Sequence, residues 1–456
     1  MLGLNEKLRN LAKDGRSINV GVIGLGQMGL SLVSHLCGIN GFKVCAIADK
    51  SLSRSSDLCK VLGTKYNKTD HSNNHPGDLF IYKAKKPGAL SDLSVSSIED
   101  ILTFDPSQNF TSREKSDVNN AVFQNKLVFT DDFTVLSIID SINIIIDATG
   151  YTQAGAEIML GALCGGKDVV TLNVETDVTI GPILKKIASE KNLVYTLSAG
   201  DEPSALKELY DFADGLGFKI ICAGKGKNNP LDTDANPSTL ADYAASKGSS
   251  ARMMTSFVDG TKSMIEMACL SNATGLVPDI RGMHGPQVNI KDIVSAFNLK
   301  RDGGLLEKEG VVDFVIGDLA PGVFLVYFTE NRFVRDVINY LNLGKGPNYL
   351  IYRPYHLTSI ETPLSLALAY FDRQPWIVPM EGGLVSEVVT VAKRNLKSGE
   401  EIDGIGGYTV YGLIDLYETA KKENLLPIGL SHGCILKKAR QKGQPITFDD
   451  VEFPEN

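Results

Sequence analysis

Two lysines, Lys225 and Lys227, stand among glycines and asparagines in "CAGKGKNNP", directly after the apolar run "FKIICA". A spacing of two puts both side chains on the same face of an extended segment. An ammonium group there can polarise or protonate a carbonyl as charge builds on its oxygen, and a pair can hold a phosphate. The stretch lacks the GxxxxGK[ST] order of a P-loop. A second group follows in "SFVDGTKSMIEM", where Lys262 and Glu266 are four apart and share one side of a helix. Asp259, Lys262 and Glu266 can converge on a substrate. His284 lies in the tight turn "RGMHGP", where a rigid loop can present it to a cleft. The candidate catalytic residues are therefore Lys225, Lys227, Lys262, Asp259, Glu266 and His284. Each also has a plainer reading as a loop lysine, a surface ion pair or a structural histidine.

These groups need a partner that carries hydride, and the N-terminal end supplies its signature. In "SINVGVIGLGQMGLSLVSHLCGINGFKVCAIADKS" a buried parallel strand runs into Gly24-Leu25-Gly26-Gln27-Met28-Gly29, then a helix, then a second strand ending at Asp49. Gly24 makes the tight turn, Gly26 lets the backbone approach a pyrophosphate, and Gly29 lets helix and strand pack closely. The helix start, with Gln27 and Met28, offers unpaired N–H groups to the anion. Asp49 suits the ribose hydroxyls of NAD, whereas Lys50 and Arg54 suit the 2′-phosphate of NADP. NADP is favoured slightly and NAD stays open. Further on, "SINIIIDATGYTQ" repeats the strand-to-helix logic, and its exit residues Thr149 and Gly150 are expected to line the nicotinamide half. Asn173 and Glu175, after the next strand, can face the carboxamide. They read equally as a helix cap and a surface charge.

At 456 residues, two or three domains are expected. The chain reads as α/β: an N-terminal Rossmann doubly wound parallel sheet over 1–178, with an insertion at about 60–118. An α+β central catalytic and dimerisation domain follows over 179–385, and a β-rich C-terminal part over 386–456. The insertion is rich in Ser, Asn, Asp, Pro and Lys, and its "DHSNNHPG" is turn chemistry rather than a metal pair of His71 and His75. Asp201 reads as a helix cap ahead of Pro203, and the segment around Arg353 and His356 as a packing strand. A net charge of −8 without a basic tract argues against nucleic acid. No run approaches the ~20 apolar residues of a membrane span. Seven scattered cysteines suit a reducing compartment. A cytoplasmic protein with a small-molecule substrate is expected.

The stretches "AKRNLKSGEEI", "LPIGLSHGCILKKA" and "KGQPITFDDVE" resemble the SAF domain, a small β-clip module also seen in sialic acid synthases and type III antifreeze proteins. With "GVIGLGQMG", "TLNVETDVTIGP", "AGDEPSALKELYDFADGLGF", "AGKGKNNP", "SFVDGTKSMIEM" and "RGMHGP", the chain resembles the homoserine dehydrogenase-like, SAF-containing oxidoreductases. Some of these are 1-deoxy-D-xylulose 5-phosphate reductoisomerase-like enzymes of isoprenoid precursor synthesis. The resemblance implies NAD(P)H-dependent reduction of a carbonyl on a small, phosphorylated, sugar-like substrate, with rearrangement before hydride transfer in the reductoisomerase-like case. It also implies a homodimer or homotetramer, and a divalent metal for which Asp259 and Glu266 are possible ligands. The alternatives are a plain sugar, polyol or hydroxy-acid dehydrogenase and a non-catalytic NAD(P)-binding sensor. One departure stands out. Homoserine dehydrogenases have Asn-Lys after the third cofactor strand, whereas this chain has Asn173-Val174-Glu175, so another lysine must supply the cation.

Overall fold

The computed structural model describes residues 3–65, 79–83 and 98–454. His71 and His75 lie outside the described residues. The chain divides into two compact units, Met1–Gly200 with Leu357–Val378, and Asp201–His356 with Pro379–Asn456.

The first unit is built on seven parallel strands: β1 (Ile18–Ile23), β2 (Phe42–Ala48), β3 (Leu79–Tyr82), β4 (Leu127–Thr130), β5 (Ile144–Asp147), β6 (Asp168–Thr171) and β7 (Tyr195–Leu197). Their order is β3-β4-β2-β1-β5-β6-β7, with every pairing parallel. Strands buried on both faces need apolar residues throughout, and β4 and β5 are buried at every position. Chain direction across the sheet reverses between β1 and β5, the switch point at which such sheets open a ligand crevice. The α/β fold class expected from the sequence is therefore present. Within the stretch 60–118, "LFIY" supplies the edge strand β3. Thr111 and Glu114 form a reciprocal capping box that starts the helix Ser112–Phe123. A four-residue strand is too short to display a period, so its residues carry little sign of it.

The second unit carries a five-stranded mixed sheet of β8 (Lys219–Gly226), β9 (Val277–Pro278), β10 (Val311–Val315), β11 (Val323–Phe328) and β12 (Asn348–Arg353). Its order is β12-β11-β8-β10-β9. Helices Glu202–Gly215 and Thr261–Thr274 pack on each other and against this sheet. The second of these is buried on all sides, Met264 and Met267 included. Such a helix must satisfy its polar groups internally. Asn272 Oδ1 accepts the N–H groups of Val385 and Ser386 at 2.7 and 3.0 Å, and Thr261 Oγ1 accepts that of Gly412 at 2.9 Å. These bonds seat the antiparallel pair β13 (Ser386–Ala392) and β14 (Val410–Leu416) against the helix. A second short antiparallel pair, β15 (Ile435–Leu436) and β16 (Val451–Glu452), closes the C-terminal region. Among the described residues, no helix is long and apolar enough to cross a membrane.

Candidate active site

Gly24 and Thr149, both expected near a cofactor, follow the ends of β1 and β5, which pair directly through Ile23 and Asp147. Gly24 takes φ +94°, and a Cβ there would lie 3.0 Å from the Ala148 carbonyl oxygen. A Cβ on Gly29 would lie 1.9 Å from the Gly24 carbonyl, so only glycine lets the helix start so close to the strand. Gly26 differs. A Cβ there would meet no protein atom within 4 Å, so it faces open space. Gly26 caps the helix Gln27–Leu36, of which Gln27 and Met28 form the first turn. This cradle fits a dinucleotide pyrophosphate.

Asp49, directly after β2, accepts the Leu25 N–H at 2.7 Å and the Ser51 N–H at 2.9 Å. Arg54 lies beside it at 3.8 Å and also donates to the Leu25 carbonyl, while Lys50 is exposed. Thr149 turns back onto Asp147, donating from its N–H at 2.9 Å and its hydroxyl at 2.7 Å, and Gly150 follows with φ +71°. Asn173 does not reach outward. Its Nδ2 donates to Asp147 and to the Tyr151 carbonyl at 3.0 Å, and its Oδ1 accepts the Thr176 N–H at 3.1 Å. It caps the following helix and is fully buried, so its side chain has no donor left for a carboxamide. Glu175 is buried in the first turn of that helix rather than lying on the surface.

In the second unit, β8 delivers Lys225 into a buried polar cluster. Its ammonium donates to Glu202 Oε1 at 2.5 Å and to Glu266 Oε2. His356 Nε2 lies 3.5 Å from the same Glu202 oxygen. Burial alone would lower the Lys225 pKa, but the carboxylates of Glu202 and Glu266 outweigh it and push it up. Burial would raise Glu202, yet Lys225 and His356 draw it far below the usual carboxylate range. Asp201 moves the other way. Burial, then the charges of Glu202 and Glu266, raise it well above its ordinary value, against a smaller pull from Lys262. Burial and Glu202 likewise raise Glu266, against Lys225 and Lys262. Two adjacent acids, Asp201 and Glu202, are thus driven apart, one towards the protonated form and one ionised.

Lys227, two residues on, donates to the Phe257 carbonyl at 2.5 Å. Burial, reinforced by the charge on Lys225, lowers its pKa to about 8. The structure thus brings Lys225, Lys227, Lys262 and Glu266 into one electrostatic group. It also adds Asp201 and His356, which in sequence read as a cap and part of a packing strand, and Glu202, the first residue of the helix. Asp201 opens the helix but makes no side-chain capping bond. Asp259 is turned elsewhere: its carboxylate pairs with Lys393 at 2.9 Å, buried, and accepts the Thr261 N–H at 2.9 Å. Its oxygens are committed to holding a helix start, so it does not converge on a substrate with Lys262 and Glu266. His284 is likewise committed. Its ring Nε2 lies 2.8 Å from Asp279, and its N–H donates to Asp313 at 3.0 Å. Asp313, raised by burial to about 6, also accepts the Gly285 N–H at 2.9 Å.

Asp201, Glu202 and His356 each bring one ligand atom within 4.8 Å of the others. Two carboxylates with an imidazole make a donor set that suits a divalent ion. This set shares only its neighbourhood with the Asp259 and Glu266 pair expected from the sequence.

Residues 200–362 match the family described as "Oxidoreductase DRL, catalytic domain". That span contains the whole of the polar cluster. The match is thus to an oxidoreductase catalytic domain, over less than half of the chain. No curated protein matches it. Among solved structures it is similar to a probable dehydrogenase from Thermotoga maritima, at 11% identity over 78% of this chain and 90% of that one, with a TM-score of 0.41. A scyllo-inositol dehydrogenase from Lactobacillus casei with bound NAD(H) and scyllo-inositol shares 11% identity over 80% and 92%, TM-score 0.38. The 1-deoxy-D-xylulose 5-phosphate reductoisomerase from Zymomonas mobilis with NADPH shares 15% over 55% and 57%, TM-score 0.32. Likenesses this distant say nothing about substrate.

Proposed function

We propose that the protein uses NADPH to reduce a carbonyl of a small, phosphorylated, sugar-like substrate, after a rearrangement of the reductoisomerase kind. The observation that carries this reading is the Lys225 ammonium clamped between Glu202 and Glu266, with Lys227 two residues away. Lys225, Lys227 and Lys262 gather beside Glu202 and Glu266, while burial raises Asp201 and Glu266 towards their neutral forms, an arrangement that suits an anionic substrate. Lys225, its pKa pushed up, serves as a fixed cation for the developing oxyanion. Lys227 gives the proton: as hydride leaves the dihydronicotinamide for the carbonyl carbon, the ammonium proton passes to the carbonyl oxygen, leaving alcohol, oxidised cofactor and neutral amine.

A protonated Asp201 beside an ionised Glu202 offers proton donor and acceptor side by side, as an enediol rearrangement requires. Asp201, Glu202 and His356 would alternatively hold a divalent ion with both carboxyls ionised, and such an ion would supply Lewis-acid polarisation in place of the Asp201 proton. Arg54, beside Asp49, favours the 2′-phosphate of NADP. The C-terminal region, with its two short antiparallel pairs, is read as a SAF module, and the chain as a relative of the homoserine dehydrogenase-like oxidoreductases.

The test is transfer of deuterium from 4-deuterated NADPH to a panel of phosphorylated ketoses and aldoses, with the product skeleton read by NMR. A rearranged carbon skeleton supports the reductoisomerase reading, and an unrearranged alcohol replaces it with a plain dehydrogenase. Absence of transfer to every substrate overturns the proposal and leaves a dinucleotide-binding sensor.

A further inference from the structure

Lys225 lies in β8 and Lys227 directly follows it, yet their surroundings differ. Lys225 is held by two carboxylates, Glu202 and Glu266. Lys227 is just as deeply buried, at 5% exposure, and among the described residues its nitrogen has one partner, the neutral Phe257 carbonyl. The backbone beneath it is fixed. Its N–H donates to the Val315 carbonyl at 2.7 Å, and the Gly226 N–H donates to that of Gly322 at 2.8 Å. A Cβ on Gly226 would lie 2.5 Å from the Ala320 nitrogen, so no side chain fits between the two lysines. An amine with a single neutral acceptor gives up its proton more easily than one clasped by carboxylates, and then has a lone pair to offer. Burial and the charge on Lys225 favour that loss, against weaker pulls from Asp259 and Glu266. At pH 7 about a tenth of such an amine is neutral, roughly three hundred times the share of an ordinary lysine. A desolvated lysine beside a second cation is the arrangement that makes an amine nucleophilic in neutral solution.

We propose that Lys227 is a nucleophile that forms a Schiff base with the carbonyl carbon of a small phosphorylated aldehyde or ketone. The nitrogen lone pair makes the N–C bond, the carbonyl π pair moves onto oxygen, and one proton passes from nitrogen to that oxygen, giving a carbinolamine. Glu266, whose charge acts on Lys227 and whose own pKa burial raises, supplies a second proton. The C–O bond then breaks, water leaves, and an iminium remains, with neither oxidant nor reductant consumed. An iminium draws electrons from the adjacent carbon and loosens its hydrogen more than the parent carbonyl does, which serves a rearrangement ahead of reduction. The inference rests on the reading of this site as one that takes a carbonyl substrate. Hydrolysis of the iminium returns the amine, which takes up the proton that reduction later spends.

The test uses the full chain without nucleotide, pyridoxal 5′-phosphate as a phosphorylated aldehyde probe, and sodium borohydride to fix any imine as a stable secondary amine. Peptide mass spectrometry at pH 7 is expected to place the label on Lys227 at least ten times faster than on the exposed Lys50 or Lys247. Lys227→Arg keeps the cation, cannot form an imine, and is expected to lose this label with its circular dichroism unchanged. Label that reaches Lys227 no faster than the exposed lysines overturns the proposal, and the wild type alone decides this even should the arginine variant fail to fold. Failure of this inference and failure of the reduction are distinguishable. Deuterium transfer from NADPH with no trapping at Lys227 removes the nucleophile and leaves the reduction standing, whereas trapping with no transfer to any substrate does the reverse.

Discussion

Lys225 donates to Glu202 at 2.5 Å, and the two side chains are only 7% and 11% exposed. Lys225 stands near the end of a strand and Glu202 at the start of a helix, so this ion pair ties the sheet to the helix that packs on it. A buried pair of this kind adds little net stability, but losing one partner strands the other's charge.

Replacing Lys225 therefore has two separable consequences. Lys225→Met leaves Glu202 and Glu266 without their cation and is expected to cost about 3–5 kcal/mol of stability. It should also lower turnover by about 10²–10³, the usual result of removing an oxyanion-stabilising group. The double variant Lys225→Met, Glu266→Gln is expected to regain part of the stability and none of the turnover. Denaturant melts alongside steady-state kinetics check both. Recovery of turnover in the double variant would show that Lys225 serves only to neutralise the acids.

Lys227 sets the pH dependence. Its folded pKa of about 8 lies below its ordinary 10.5, because burial and Lys225 both disfavour the ammonium. As the proton donor it is competent below that value and spent above it. The rate of carbonyl reduction is expected to fall as pH rises through about 8, and that of alcohol oxidation to rise through the same point. Lys227→Gln should abolish both limbs and lower the rate by about 10²–10⁴. A limb that persists unchanged in the variant assigns the proton to another group.

The glycines of the cofactor turn separate packing from binding. Gly29→Ala drives a methyl group into the Gly24 carbonyl and is expected to destabilise the first unit. Gly26→Ala meets no protein atom and should leave the melting temperature unchanged while weakening NADPH binding at least tenfold. Calorimetry for both properties distinguishes them. Tight binding by a folded Gly26→Ala would place the pyrophosphate elsewhere.

These contrasts bear on what the sequence made legible. The cofactor turn could be read because its constraints are local: strand, glycines, helix and Asp49 follow within one stretch of chain. Lys225 and Lys227 could be read because two-residue spacing at a strand end fixes a shared face. His356 could not, because nothing near it in sequence marks a polar site, and its partner Glu202 arrives from a distant helix start. Asp201 misled for a physical reason. An aspartate ahead of Glu-Pro has the composition of a cap, yet its carboxyl makes no capping bond and its pKa is raised instead. Asp259 misled in the opposite sense, since only the fold reveals that Lys393 consumes it.

Glu387, on β13, gives a prediction about stability that is independent of the reaction. Burial raises its pKa from 4.5 to about 8, opposed only in part by the Val388 N–H it accepts at 3.0 Å. Between those values the folded chain keeps the proton and the unfolded chain has lost it, so unfolding releases a proton and is favoured as pH rises. The contribution of this residue is fully present below about 4.5, declines by about 1.4 kcal/mol per unit across the window, and is flat above the folded value. Glu387→Gln, which keeps the shape and cannot ionise, is expected to match the wild type in mild acid and to exceed its stability at pH values near 8. Urea melts across that range compare the two slopes. Parallel slopes would mean that Glu387 is solvated in the folded chain, and that the pocket between β13 and its neighbours admits water.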